Sequence, residues 1–328
     1  MTNFSDMVTT MGVPAIGSGI PITFGKYFFV DYDNGSDGNN GEDMEAPLKT
    51  LPAAYAKMTS GNDDVCLLRG ASIHLLTAML TVEKSRCHFV GLDTGGHLVQ
   101  QGAKIKLGVT TAATDLAPIL NTGVRNSFRN IKVENINTKD ESLYGFIDNG
   151  EGTVIDHFQS ISIGNPAVTG HAHFWLASDS STIRNATFGQ SNTPSTAAVY
   201  GMLIDGKTGG ATDGTVKENV LENITINISV GGAVQATSCF IKIADTSALN
   251  FVNSINGLHC HNFTPVGGTI LTDAILGVDN TVSGVLDISN AHFFGVTGVG
   301  AGASQGVYIA SNSVAADANG GLATAVTD

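Results

Sequence analysis

SFRNIKV, residues 127–133, is one of five copies of a short phrase that places an apolar residue, a polar one, Asn or Ser, and then apolar, polar, apolar. The others are HFQSISI (157–163), TIRNATF (182–188), VLENITI (220–226) and LDISNAHFF (286–294). Counted from the Asn or Ser, positions 130, 160, 185, 223 and 290 are separated by 30, 25, 38 and 67 residues, and the last step leaves room for a degenerate turn at FVNSINGLHCHNF (251–263). A second phrase alternates with the first: an aliphatic strand ending in a small or acidic residue, as in GFIDNG (145–150), FWLASD (174–179), MLIDG (202–206), FIKIAD (240–245), AILGVD (274–279) and VYIAS (307–311). Two strands and two turns recurring at this period are the signature of an all-β parallel solenoid, in which no coil can bury its apolar face alone. Phe128, Ile131 and Val133 mark the inner face, and Asn130 falls at a bend where a short amide can satisfy backbone groups. Eight or nine coils spaced about 4.8 Å apart make a stub about 40 Å long.

The stretch VDYDNGSDGNNGEDMEAPLKTL (30–51) resembles a calcium loop at first sight, with acids at Asp31, Asp33, Asp37 and Glu42. An EF-hand register fails, because the sixth position, which must be glycine, is Ser36, and FGKYFFV before it reads as a strand. The residues suit a Gly/Asn-rich crossing instead, with φ > 0 available at Gly35, Gly38 and Gly41. Thr50 is a candidate N-cap, Pro52 fits a first helical turn, and Leu51, Tyr55 and Met58 share one face of a short lid helix.

This entrance, YFFVDYDNGSDGNNG followed by APLKTLPAAYAKM and DDVCLLRG, resembles the right-handed parallel β-helix proteins of the pectate lyase type. The resemblance implies that the helix caps the open end of such a β-helix. The stretch 108–135 and the uncharged N-terminal segment are also similar to uncharacterised β-helix proteins of tailed phages, which implies a virion part, usually a homotrimer. The expected division is an extended arm at 1–25, the entrance strand, loop and capping helix at 26–61, the β-helix at 62–312 and a tail at 313–328.

Composition narrows the function. The net charge is −13 and basic residues are few and scattered, so no footprint for a nucleic-acid backbone is present. After Lys242 there is no Lys or Arg, which suits a surface packed against something. The start MTNFSDMVTTMG lacks a basic n-region, so the expectation is cytoplasmic synthesis in the host. Residues 8–25 are interrupted by Pro14 and Pro21 and make a poor membrane span. Cys66, Cys87, Cys239 and Cys260 show no ligand-like spacing and read as buried thiols, the pairs 21 residues apart stacking in neighbouring rungs.

Chemistry is harder to find. Arg69, Arg86, Arg125, Arg129 and Arg184 are the only arginines, and none has an evident acidic cluster one coil away in the lyase pattern. The polygalacturonase-like set is missing, since Asp63-Asp64 sits in a first turn and Thr169-Gly170-His171 lacks its second glycine. Asp148 with Asp179, or Glu151 with Asp156, could form a carboxylate pair for glycoside hydrolysis, but such acids ordinarily end strands at solvent-exposed turns. His171 with His173, and His259 with His261, share strand faces and could each give two metal ligands without a third. His88, His157 and His292 read as core or rung-stacking residues, and Trp175 as packing rather than a sugar platform.

The expectation is therefore a non-enzymatic virion component, a capsid decoration protein or short head spike, with no catalytic, cofactor-binding or metal residues and no cofactor. Its partners are two further copies of itself and, through the arm at 1–25, a capsid or tail protein. The alternative is a tailspike-like β-helix that binds or depolymerises a bacterial surface glycan.

Overall fold

In a computed structural model the chain is a right-handed parallel β-helix with one short helix. The described residues are 23–92, 102–109, 112, 114, 116–162, 167–190, 195–206, 216–231, 234, 236–244, 249–263, 270–277, 284–300, 306–310 and 313, with backbone alone at 9–10, 13–14, 314–316 and 324–325. Most of the arm at 1–25 and of the tail at 313–328 lies outside them.

The coils build a fourteen-stranded sheet, to which some coils give two strands, and an eight-stranded sheet, to which the coils after the entrance give one strand each. The first holds the long strands Ser127–Asn135, Val154–Ser162, Thr182–Gly189, Val220–Ile228, Val252–Asn262 and Val285–Phe294, which are the first phrase of the repeat. The second runs from Leu80–Val82 through Ile147–Asp148, His171–Leu176, Val199–Ile204 and Cys239–Ile243 to Val296–Gly300, and its eight strands match the expected coil number. The degenerate turn at 251–263 is a full long strand. VYIAS departs from expectation, since Val307–Ile309 pairs with Val285–Phe294 in the larger sheet.

Every long strand bends at one residue in the left-handed region: Asn130, His157, Asn185, Asn223, Gly257 and Asn290, with φ between 50° and 76°. Register stacks these six positions directly over one another. Asn tolerates this conformation because its short amide bonds locally, and Asn223 Nδ2 donates to Asn185 Oδ1 at 3.3 Å while Asn130 Nδ2 donates to the Gly91 carbonyl at 3.4 Å. On either side of the bend, Phe128, Ile131 and Val133 and their register partners are fully buried. Phe89, Phe128, Phe146 and Phe174 form a row of ring contacts along the interior at centroid distances of 5.0–5.7 Å, stacked at Phe89–Phe128 and Phe146–Phe174 and edge-on at Phe128–Phe146, each pair adding about 0.5–1.5 kcal/mol beyond its buried area.

The entrance follows its sequence. Thr50 Oγ1 accepts from Ala53 N, and the helix Leu51–Lys57 lays Leu51, Ala54 and Met58 on the open end of the core. Lys84 Nζ donates to the carbonyls of Tyr55, Ala56 and Met58, a cation at the helix C-terminus. Of the loop glycines only Gly41 takes positive φ (76°); Gly35 is required for a different reason, since a Cβ there would sit 2.3 Å from the Leu48 carbonyl oxygen.

All four cysteines are buried thiols. Their expected stacking does not occur: Cys66 lies opposite Phe89 and Cys87 opposite Asp64, while Cys239 and Cys260 belong to different sheets. Equal spacing in sequence does not survive coils of unequal length.

Candidate functional site

The outer face of the larger sheet carries a charged row just before the bend. Arg129, Asp156, Arg184 and Glu222 are register partners on four successive strands, so their signs alternate rung by rung. Asp156 is the hub. Its Oδ1 lies 2.8 Å from His157 Nδ1 and accepts from Asn185 Nδ2 at 3.0 Å, and its Oδ2 accepts from Arg184 Nε at 3.2 Å. The side chain of Asp156 is 15% exposed against 46% for His157 and 43% for Arg184, so a sheltered carboxylate holds two accessible groups.

His157 occupies a position that asparagine fills in four of the six rungs. An imidazole cannot continue the amide ladder, and Asn185 Nδ2 turns to Asp156 instead. A residue that breaks a structural row at a strained backbone position points towards function. The carboxylate against Nδ1 favours the tautomer with its proton there, which puts the basic lone pair on Nε2. Beyond the bend, Lys106 and Lys132 both reach Glu134, at 2.8 and 2.5 Å. Burial pushes the Glu134 carboxyl up, but hydrogen bonds from the two lysines outweigh it and hold it below the usual range.

The other sequence candidates separate. Asp148 is not at an exposed turn: it is fully buried and accepts from Asn121 Nδ2 (2.8 Å), Thr153 Oγ1 (3.0 Å) and Ser181 Oγ (3.1 Å). Burial raises its pKa against those hydrogen bonds. Asp179 instead pairs with Lys217 at 3.2 Å. Glu151 sits in the corner turn bridged to Val124 and Asp179, apart from the Asp156 hub. Among the described residues, the side-chain partners of Asp148, Asp179 and Asp156 are groups other than the second acid of either pair.

His171 and His173 are buried; His173 Nδ1 accepts from Ser162 N at 3.0 Å, and burial, with His171 beside it, pushes its pKa down to about 3. His259 and His261 do share the outer face, and the His292 ring lies tilted against His259 at 5.1 Å. Among the described residues no three ligating side chains converge on a metal position. The acids of the entrance loop are dispersed among separate partners: Asp31 on Arg69 and Asn34, Asp33 on Ser72, Asp37 on Lys49 N and Thr50, Glu42 on Lys26. Trp175 is 6% exposed and packs against Tyr144 in a tilted ring contact at 4.5 Å, in an apolar cluster on the outside of the smaller sheet.

One sequence reading is corrected: His157 is an exposed member of this group rather than a core residue. Arg129 and Arg184 share one acid a coil away, Asp156, which is a single carboxylate and not the acidic cluster of the lyase pattern. The signal was the one histidine among the bend asparagines, visible once the phrases are aligned on Asn185.

No protein-family model matches the sequence, and no curated protein matches it at a significant level. Solved structures do match. Pectin methylesterase PemA from Erwinia chrysanthemi superposes with a TM-score of 0.59 at 11% identity over 94% of both chains. A pectin methylesterase in complex with hexasaccharide VII gives 0.57 at 11% identity over 92% of both. Pectate lyase Pel9A gives 0.56 at 14% identity over 87% of this chain and 68% of its own. These neighbours overturn the expectation of a non-enzymatic chain, because the proteins that share its architecture are enzymes. The identities are low enough that any reaction must come from this chain's own residues. No helix among the described residues is long and apolar enough to cross a membrane. The chain has the parallel β-helix fold of the pectate lyase and pectin methylesterase structures.

Proposed function

We propose that the protein acts on an acidic polysaccharide, and that the Asp156–His157–Arg184 group on the outer bend is its reactive centre. The observation that carries this reading is an accessible imidazole oriented by a sheltered carboxylate, with an arginine on each neighbouring rung. A base beside fixed cations suits proton abstraction next to a uronate carboxylate, since the arginines stabilise the negative charge that develops there. His157 Nε2 takes the proton from the carbon bearing the carboxylate. The electron pair left behind forms a carbon–carbon double bond as the neighbouring glycosidic C–O bond breaks, and the departing oxygen is protonated by solvent. Hydrolysis by two carboxylates is the poorer fit, because among the described residues the partners of Asp156 are His157, Arg184 and Asn185 and not a second acid.

The setting we infer is a tailed-phage particle carrying the chain as a homotrimer. It is supported by the phage-like stretch at 108–135, the absence of basic residues after Lys242, and exposed apolar side chains at Phe251, Val252, Phe294 and Tyr308 in the last coils. Light scattering tests the trimer, and mass spectrometry of purified particles tests the setting.

Incubation with a panel of polyuronates, followed by ultraviolet absorbance of unsaturated products and by reducing-end release, tests the reaction. His157→Ala is expected to lower turnover by about 10²–10⁴-fold. Absence of unsaturated products across the panel overturns the elimination, and release of saturated reducing ends reassigns it to hydrolysis.

A further inference from the structure

Two buried side-chain atoms that lack a hydrogen-bond partner bracket His157. Arg129 Nε lies on the preceding rung, before the bend, and Gln159 Oε1 lies two residues past His157 on the same strand. Gln159 is only 5% exposed. Buried polar groups are nearly always satisfied, and one left alone costs stability that its position has to repay.

The neighbourhood is rich in cations. Gln159 stands beside Lys132 in register, and Lys132 stands beside Lys104 on the strand Ala103–Leu107. Like charges directly opposite on neighbouring strands repel. Glu134 is the carboxylate that answers Lys106 and Lys132, which leaves this part of a chain of net charge −13 locally positive.

We propose that the ground between Arg129, Lys132 and Gln159 is a subsite for one hexuronate residue. Arg129 and the lysines take its carboxylate, and Gln159 takes a ring hydroxyl, which can donate to the amide oxygen or, with the amide turned over, accept from its nitrogen. A neutral sugar lacks the first group and a small anion lacks the second. The proposal rests on the reading of His157 as the base only in placing the scissile bond beside this subsite; binding itself does not need His157.

Calorimetry with galacturonate and glucuronate as probes, and galactose and sulfate as controls, tests it on the full chain and on His157→Ala, Gln159→Leu and Lys104→Met. The wild type and His157→Ala are expected to bind a uronate, with both controls at least about tenfold weaker, the loss expected for one missing hydrogen bond to a charged or buried partner. Gln159→Leu should weaken uronate binding about tenfold while its melting temperature holds or rises, because an unsatisfied group has been removed. On a polymer it should raise KM by a similar factor and leave kcat nearly unchanged. Lys104→Met should weaken the uronate and spare galactose. Sulfate binding as tightly as a uronate, or Gln159→Leu binding like wild type, overturns the subsite. Uronate binding without any turnover leaves the subsite standing and removes the elimination; turnover with Gln159→Leu unchanged does the reverse.

Discussion

The two sheets of this β-helix share one interior and differ on the outside. Outside the smaller sheet, Ile147, Trp175 and Leu203 line up across successive strands as an apolar stripe that is itself buried. Outside the larger sheet the matching row is Arg129, Asp156, Arg184 and Glu222, in which Arg184 and Glu222 are accessible and Asp156 is sheltered between its neighbours. The inner faces obey the same rule of buried Phe and Ile. The repeat therefore constrains the inside of a coil and leaves the outside free to vary, into a buried apolar stripe on one wall and a charged row on the other.

The largest effect is expected at the apolar stripe. Trp175→Ala should cost about 3–5 kcal/mol, as for other buried aromatic truncations, read as a shift of the urea midpoint; an unchanged midpoint denies that the stripe is structural. His157→Asn comes next and separates the two roles of one wall. It restores asparagine to the ladder, so stability should hold or rise by up to about 1 kcal/mol, while turnover falls as for His157→Ala. A variant that loses stability and keeps activity inverts the assignment.

Acid should weaken the fold through the interior. Above pH 6.5 the imidazole of His173 is neutral in both folded and unfolded chains and contributes no pH dependence. As pH falls from 6.5 towards about 3, the unfolded chain takes up a proton that the buried ring refuses, and stability drops by up to about 1.4 kcal/mol per pH unit for this site. The lowered pKa of His171, also set by burial, acts in the same direction. Urea midpoints at neutral and mildly acidic pH should show the drop, and His173→Gln should flatten it. The smallest effect belongs to the charged wall: Arg184→Met should change stability by less than about 1 kcal/mol, because the pair it leaves is half-exposed.

Much of the fold was legible because periodicity is a local property. The phrases around Asn130, Asn185 and Asn223 each report strand, bend and strand, and the Thr50 cap with Leu51 and Met58 reports the lid. The site was not legible for the opposite reason. Asp156 and Arg184 are 28 residues apart, and the rung that faces another depends on loops of unequal length between them. His157 looked like one more strand residue, since its phrase aligns on Ser160 when read by its polar letter and on His157 only when read by its bend. Asp148 misled in a similar way: aspartate at a strand end suggests solvent, and only the coil corner reveals Asn121, Thr153 and Ser181 closing around it. His171 and His173 suggested two ligands on one strand face, whereas both are buried and His173 Nδ1 is taken by Ser162 N.

The four thiols gain a use from where they are held. Burial pushes Cys87 up to about 11 and Cys239 up to about 12, and it raises Cys66 and Cys260 as well, so none presents a thiolate at neutral pH while its coil is closed. Alkylation can then proceed only through opening. Cys66 and Cys87 lie at the entrance under the lid helix, and Cys239 and Cys260 lie in the later coils. A solenoid whose coils touch only their neighbours can fray from either end, and this chain carries one reporter pair at the entrance and another just inward of the last coils. The order in which the two pairs are labelled in mild urea tells which end lets go first.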